Sequence, residues 1–441
     1  LLWLRVFDKD ACLKQEVDAT AVAFLRQLCC LGKKLLVECS TDRVKAVMEN
    51  YYGIERDLRN PTLEWDNDEL VLGWRSAYVT LCDAASDYRP SPGLDFEIAS
   101  QKARDSSSSR EESRESRRLL EKVQQVADLI IGSFDLYDPI ALSERLESEG
   151  LGIGFKHGPG AVAERVKQHE KSCFLNWPAK LEYLFPWELV GKTAGQPLEG
   201  RPRNHEPASR LMCVPKTAKG PRLIASEPAS HQWCQQQMRW FINDQLKVLF
   251  GTSFVDFNDQ RKSGDLVLKA SRDRDLATVD LSDASDRLSC WTVERIFRKS
   301  PSLLCHLHAA RTRYLVDEVS QDKNFLRIKK FATQGTATTF PVQSLVFLCI
   351  ALGCSIKGRV SWTSINRLRS QVRVYGDDII IPTHGYAPLL TVMNKLQLSV
   401  NIAKSYVKGH FRESCGTDGY MGYDVTPVKP KVVVADNPAS C

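Results

Sequence analysis

Three aspartates carry the chemistry this sequence offers most clearly. Asp280 closes the apolar stretch LATV, and Asp377 and Asp378 lie in RVYGDDIII between apolar arms. Strand ends flanked by apolar residues hold side chains rigidly, and carboxylates gathered at such points repel one another unless cations neutralise them. Oxygen-only ligation suits Mg²⁺ or Mn²⁺, which take one or two carboxylates together with substrate phosphates. Two such ions about 3.5–4 Å apart activate an attacking hydroxyl and stabilise the leaving oxygen of a phosphoryl transfer. Gly376-Asp377-Asp378 alone is weak evidence: about one chain in ten of this length holds that tripeptide by chance at average residue usage. A plain Asp-rich hairpin turn competes with it. The surroundings discriminate, because Val372, Val374, Ile379 and Ile380 bracket the acids with apolar arms that a solvated turn does not need.

These acids require elements to position them. Residues 275–281 (DLATVDL) predict a strand, and residues 284–299 predict the helix that follows it. Residues 340–354 form the longest apolar stretch; it is shorter than the ~20 residues of a membrane span and carries Pro341, Gln343 and Ser344, so a buried helix is expected. Residues 372–375 and 379–381 predict two short strands around a tight Gly376–Asp377 turn. Upstream, residues 201–224 hold six cations (Arg201, Arg203, Arg210, Lys216, Lys219, Arg222) against the single acid Glu206, a local +5 in a chain of net charge +6. Nearer the start, residues 22–36 predict an amphipathic helix. Residues 100–118 predict a charged, Ser-rich loop running into a helix at 118–131. Residues 150–166 (GLGIGFKHGPGAVAERV) match neither glycine-rich phosphate-binding pattern and predict a structured turn before a helix.

Taken in order, TVDLSDASDRLS, QGTATTFPVQSLVF and VYGDDIII resemble motifs A, B and C of RNA-dependent RNA polymerases. The details are most similar to the replicase catalytic subunit of the leviviruses, the positive-strand RNA bacteriophages. VPKTAKGPRLIASEP resembles that family's basic fingers motif, FRESCG followed by GYDVTP its post-palm signature, and HGPGA its N-terminal half. The resemblance spans about residues 158–427 and implies an α+β right-hand polymerase with an antiparallel palm sheet and a Gly-Asp-Asp hairpin. It implies a fingers and thumb-bridging region at 1–150, fingers at 151–270, palm at 271–410 and the start of a thumb, truncated, at 411–441.

The same resemblance implies roles. Asp280 and Asp377 would ligate two Mg²⁺ ions (Mn²⁺ as substitute), with Asp378 as adjacent ligand or charge partner. A 3′-hydroxyl would then attack the α-phosphate of an NTP and expel pyrophosphate. Lys216, Lys219 and Arg222 would neutralise the triphosphate. Gly335, Thr336 and Thr339 would shape the loop holding template and incoming ribose. Gln343 stands where the family usually has Asn, and Ser285, with Asp286 beside it, where a second motif A Asp is common; each is a candidate for ribose recognition. Lys404 matches the motif D lysine, a general acid toward pyrophosphate; a lone lysine on a surface strand is the competing reading. Implied partners are the RNA template and product, NTPs, and host elongation factors Tu and Ts with a ribosomal protein, in the cytoplasm of a bacterial host.

Composition bounds the alternatives. With 441 residues, 43% hydrophobic and 26% charged, the chain is an ordinary globular sequence rather than a collagen, a coiled coil or a disordered polymer. Sixty cations against 54 acids give a weak overall field. The 14 cysteines show neither a disulfide framework nor zinc spacing, and reduced, mostly buried thiols are expected. No signal peptide is legible at the start, and the first residue, Leu, points to a fragment. A reverse transcriptase is the nearest rival, because Tyr375-Gly376-Asp377-Asp378 also fits Y-x-D-D, but residues 282–286 (SDASD) include no aromatic to exclude a 2′-hydroxyl. A non-catalytic RNA-binding protein would use the basic stretch but gives no reason for three acids that repel phosphate.

Overall fold

The apolar stretch forms the helix Thr339–Ser355, in which every residue from Pro341 onward is buried. A helix that is apolar on all sides belongs in an interior, and this one is the axis of the fold. The computed structural model describes residues 2–33, 39–63, 80–82, 108–191, 202–217, 220–320 and 324–429. Its largest apolar core gathers buried side chains from Leu63 to Leu398 around that axis.

Against the axis lies the helix Ser108–Ile131. It presents Leu120, Val123, Val126, Ala127, Ile130 and Ile131, all fully buried. The approach is close: a Cβ on Gly353 would stand 2.7 Å from Val123. This helix corrects the expected loop at 100–118, since it begins ten residues before Arg118. The charged stretch carries opposite charges at helical spacing, as in the Arg117–Glu121 pair at 3.4 Å, and these support a solvated extension of an anchored helix. Residues 100–107 lie outside the described residues.

Among the described residues four small sheets complete an α+β architecture. In the first, β1 (Ser209–Thr217) pairs antiparallel with β2 (Gly220–Ser226) and parallel with β5 (Tyr314–Asp317), which pairs with β6 (Phe325–Arg327). The second is antiparallel, with β8 (Asp378–Pro382) between β3 (Leu276–Val279) and β7 (Arg373–Tyr375). Its register sets Val279 opposite Ile379 and Tyr375 opposite Asp378, so β3 ends beside the turn that joins β7 to β8. The last two are the pair β4 (Leu281–Ser282) with β9 (Ser399–Val400), and the sheet β10 (Phe411–Ser414), β11 (Thr417–Tyr420) and β12 (Tyr423–Asp424).

Three local expectations change. The expected 22–36 helix is Ala19–Cys30, started by Asp18, whose side chain accepts from the Thr20 and Ala21 amides; residues 34–38 lie outside the described residues. The expected 284–299 helix is two, Ala284–Arg287 and Cys290–Ile296, because Leu288 is extended and Ser289 caps the second by accepting from the Thr292 amide. After the 150–166 turn comes only a 3₁₀ turn, Gln168–Glu170, with Lys171 donating to the carbonyls of Gly158 and Gly160 at 3.0 and 2.5 Å. Among the described cysteines no disulfide forms; six are buried and three, Cys12, Cys29 and Cys173, are exposed, fewer buried thiols than expected. No helix among the described residues is long and apolar enough to cross a membrane.

Candidate active site

Asp280 lies in the single-residue gap between β3 and β4, and its position is fixed from several sides. The Asp280 carbonyl accepts from the Asn401 amide at 2.9 Å, and the Asp280 amide donates to Ser405 Oγ at 3.3 Å. Its Oδ2 accepts from Asn401 Nδ2 at 3.0 Å and from Lys404 Nζ at 3.1 Å. Lys404 ends the 3₁₀ turn Ile402–Lys404 rather than a surface strand.

Asp377 occupies the second position of the Gly376–Asp377 turn. Gly376 has φ +63°, and a Cβ there would stand 2.5 Å from Phe340, so both the turn and its packing demand glycine. Ser344 Oγ on the axial helix accepts from the Gly376 amide at 3.0 Å, and Phe340 packs edge-on against Tyr375 with centroids 4.9 Å apart. The turn is therefore seated on the first residues of the buried helix.

Both acids line one cleft of about 570 Å³. Its wall also includes Lys216, Arg222, Ser285, Gly335, Thr336, Thr339, Gln343 and Lys404. Ten of the thirteen site residues predicted from sequence thus meet at one place, although the chain separates Lys216 from Lys404 by nearly two hundred positions. The other three do not line it. Lys219 lies outside the described residues. Asp378 turns to the other side of the strand, where its Oδ2 accepts from the Cys415 amide at 3.2 Å. Asp286 lines a smaller neighbouring pocket and accepts from the buried Lys330 ammonium at 3.0 Å. Sequence reasoning missed Asn401, Gln334 and Phe340, although Asn401 sits three residues before Lys404 and is the only amide in that motif able to reach the same carboxylate.

The electrostatics follow from this crowding. Asp377 opens toward the cleft yet is surrounded by protein, and that desolvation, with the charge of Asp280, raises its pKa against the pull of Lys216 and Lys404. Lys216 is held below the ordinary lysine value by desolvation and by Arg222 and Lys404, while Asp377 and Asp280 act in the opposite sense. For Lys404 desolvation is outweighed by Asp280, Glu413 and Asp377 together, and its pKa is raised. Burial, then Asp377 and Asp280, push Asp378 up to about 7 from 3.8. A carboxyl whose folded pKa exceeds its unfolded one stabilises the fold in its protonated form, fully below the unfolded pKa; the contribution disappears as pH rises through the folded pKa. The melting temperature of the metal-free protein should therefore fall as pH rises from about 4 to about 7. Asp378→Asn should flatten that slope in a thermal-melt series; an equal slope in both proteins would refute the assignment.

The loop at 334–339 forms another wall. Gly335 has φ +138°, and a Cβ there would stand 2.0 Å from the Ala225 carbonyl oxygen. The Ala225 amide donates to the Gln334 carbonyl at 2.8 Å, and Ala225 is paired to Leu211 in the β1–β2 ladder, so the backbone has no room to retreat. Gly335→Ala should lower stability by about 1–3 kcal/mol, read from denaturant unfolding; an unchanged midpoint would show that the strand yields.

Comparison with known proteins follows this geometry. Residues 187–439 match the family described as "RNA replicase, beta-chain". That is more than half of the sequence. The chain belongs to the RNA replicase beta-chain family. Within it, residues of this chain are 33% identical over 226 positions to the RNA-directed RNA polymerase beta chain of Enterobacteria phage fr, an alignment covering 51% of this chain and 38% of that protein. They are also 33% identical over 223 positions to the RNA-directed RNA polymerase subunit beta of Escherichia virus Qbeta, covering 50% and 35%. The matched region spans little more than a third of these relatives. A solved structure titled "RdRp complex" overlays with a TM-score of 0.43 at 12% identity, covering 68% of this chain and 28% of that one, a likeness too slight to carry an argument. All of the cleft-lining site residues named above fall inside the family match.

Proposed function

We propose that this replicase beta-chain homologue synthesises RNA from NTPs on an RNA template. The observation that carries the reading is the convergence of Asp280 and Asp377 with Lys216, Arg222 and Lys404 on one cleft. Carboxylates alone would repel a triphosphate, and cations alone would bind RNA without reacting; the two together suit phosphoryl transfer.

Among the described residues no three His, Cys, Asp or Glu side chains form a metal-holding group. Asp280 and Asp377, in a roomy cleft that Asp283 also lines, nevertheless fit Mg²⁺ or Mn²⁺, which complete their shells with water and substrate phosphate, and Asp377 is raised chiefly by burial and further by the charge of Asp280 beside it. Asp280 and Asp377 would hold the ions; Asp378, capped by the Cys415 amide, supports their charge from behind. Bound Mg²⁺ would supply activation of the 3′-hydroxyl and stabilisation of the leaving pyrophosphate. Lys216 and Arg222 hold the triphosphate against the acids. Lys404, paired with Asp280 at 3.1 Å, stands where it can donate a proton toward the leaving group. Ser285, Thr339 and Gln343 face the same space and are placed to recognise the ribose and the template.

In this reading β3, β7 and β8 belong to the palm, the β1–β2 pair to the fingers, and residues 411–441 begin the thumb. RNA and NTPs are the partners, with elongation factors Tu and Ts and a ribosomal protein as host subunits in the bacterial cytoplasm. The test is incorporation of labelled NTPs by the purified chain with Mg²⁺ and an RNA template, with and without those host proteins. Template-length complementary RNA is the expected result. Equal synthesis from dNTPs would favour reverse transcription, and RNA binding without synthesis in either condition would overturn the polymerase reading.

A further inference from the structure

Glu227 lies two residues beyond Ala225, just past the end of β2, and is 1% exposed. Its carboxylate accepts three hydrogen bonds from neutral groups: Gln235 Nε2 at 3.0 Å, Thr312 Oγ1 at 2.7 Å and Thr333 Oγ1 at 3.2 Å. No ion pair reaches it among the described residues. A buried carboxylate without a cation is costly, and replacing it with a neutral group would ordinarily be tolerated. Its partners suggest why it is there. Thr333 and Gln235 both continue into the cleft loop: Thr339 Oγ1 donates to the Thr333 carbonyl at 2.7 Å, Thr333 Oγ1 lies 3.3 Å from Thr336 Oγ1, and Gln235 Oε1 accepts from the Ala337 amide at 3.2 Å.

A carboxylate accepts hydrogen bonds and donates none, so every group around it must point its proton inward. Together with the Ala310 carbonyl, which accepts from the same Gln235 Nε2 at 2.8 Å, that fixes the Gln235 amide with nitrogen toward Glu227 and oxygen toward Ala337. It also orients the Thr333 hydroxyl. We propose that Glu227 is a positioning residue for nucleotide binding: through Gln235 and Thr333 it sets the conformation of the 334–339 loop that walls the cleft. The inference rests on the polymerase reading, and it adds a residue outside the cleft to the determinants of ribose selection.

Glu227→Gln tests it, because the side chain keeps its shape and gains a donor. That donor conflicts with one inward-pointing proton and weakens the constraint on the Gln235 amide, whose Nε2 then keeps only the Ala310 carbonyl as an obligate acceptor. The Michaelis constant for NTPs should rise about tenfold, the size expected from one or two hydrogen bonds made less well. The turnover number should change much less, and discrimination of NTP over 2′-dNTP should fall several-fold. A purely structural role would lower the melting temperature and leave this split unmoved, which would overturn the proposal. Gln235→Met, which leaves Glu227 with its two threonine donors, should reproduce the kinetic change; if it does not, the route through Gln235 is wrong. Hydrogen exchange of the Ala337 amide in the full chain is independent of activity. Faster exchange in Glu227→Gln is expected, and unchanged exchange would overturn the proposal whatever the kinetics show. If the unsubstituted protein makes no RNA, the polymerase reading fails by itself, and the exchange result still decides whether Glu227 holds the loop.

Discussion

Asp377→Asn should reduce RNA synthesis by about 10³-fold while leaving RNA affinity nearly unchanged. The substitution keeps the shape of the side chain at the Gly376–Asp377 turn, and that turn is held by Ser344 and Phe340 rather than by the carboxylate. What it removes is one of the three carboxylates lining the cleft, the others being Asp280 and Asp283, and with it the hard anionic ligand proposed for the metal. The cations Lys216 and Arg222, proposed to hold phosphate, remain on the cleft wall, so filter binding of RNA should move little. Asp378→Asn provides the contrast. The sequence leaves Asp378 as either an adjacent ligand or a charge partner, and in the structure it does not line the cleft and is capped by the Cys415 amide. Its replacement should cost distinctly less activity than that of Asp377. Equal, complete loss in both would mean that the two carboxylates act together on the metal; undiminished synthesis by Asp377→Asn would remove the two-metal assignment.

Lys330→Met should destabilise the fold by about 3–5 kcal/mol, the cost typical of stripping one partner from a buried charge cluster. Lys330 is fully buried. Its ammonium lies 3.0 Å from Asp286, 3.5 Å from Glu55 and 3.5 Å from the centre of the Tyr51 ring. Burial opposes its charge, but Asp286, Tyr51 and Glu55 together raise its pKa above the ordinary value. Tyr51 itself is pushed up to about 12, chiefly by burial. Methionine would fill the space and leave two carboxylates facing each other. This contact ties the helix Thr41–Asp57, which carries Tyr51 and Glu55, to Asp286 beside the cleft. Denaturant unfolding measures the loss. The triple variant with Glu55→Gln and Asp286→Asn should recover most of it, because no unpaired charge remains; failure to recover would place the cost in packing instead.

The sequence determined more of the site than of the scaffold. Gly335, Thr339, Gln343 and Lys404 were legible only through the resemblance of the ordered motifs, whereas Asp280, Asp377, Lys216 and Arg222 were legible because strand ends, a two-residue turn and a basic cluster each leave a local pattern. The axial helix was legible for the same reason: a 15-residue run apolar on every face has nowhere to go but the interior. The helix starting at Ser108 was not. Its polar half has the composition of a loop and is helical because the half beyond it is anchored on Val123 and the axial helix. Nor could periodicity find the break at Leu288, where Ser289 bridges to Lys330 in a distant segment.

Whether Asp378 lines the cleft beside Asp377 or lies behind it was decided only by tertiary structure. Adjacent strand residues point to opposite faces, and which face meets the cleft depends on β3, on the seat of the turn and on the Cys415 amide behind it. Asp286 shows the same physics: its spacing from Asp280 suggests the ribose network, but a buried ammonium contributed by position 330 holds it elsewhere. Sequence settles which side chains can do the chemistry, since residue type and local backbone are written there. Long-range packing settles which of them face one another, because that depends on partners tens of positions away or more.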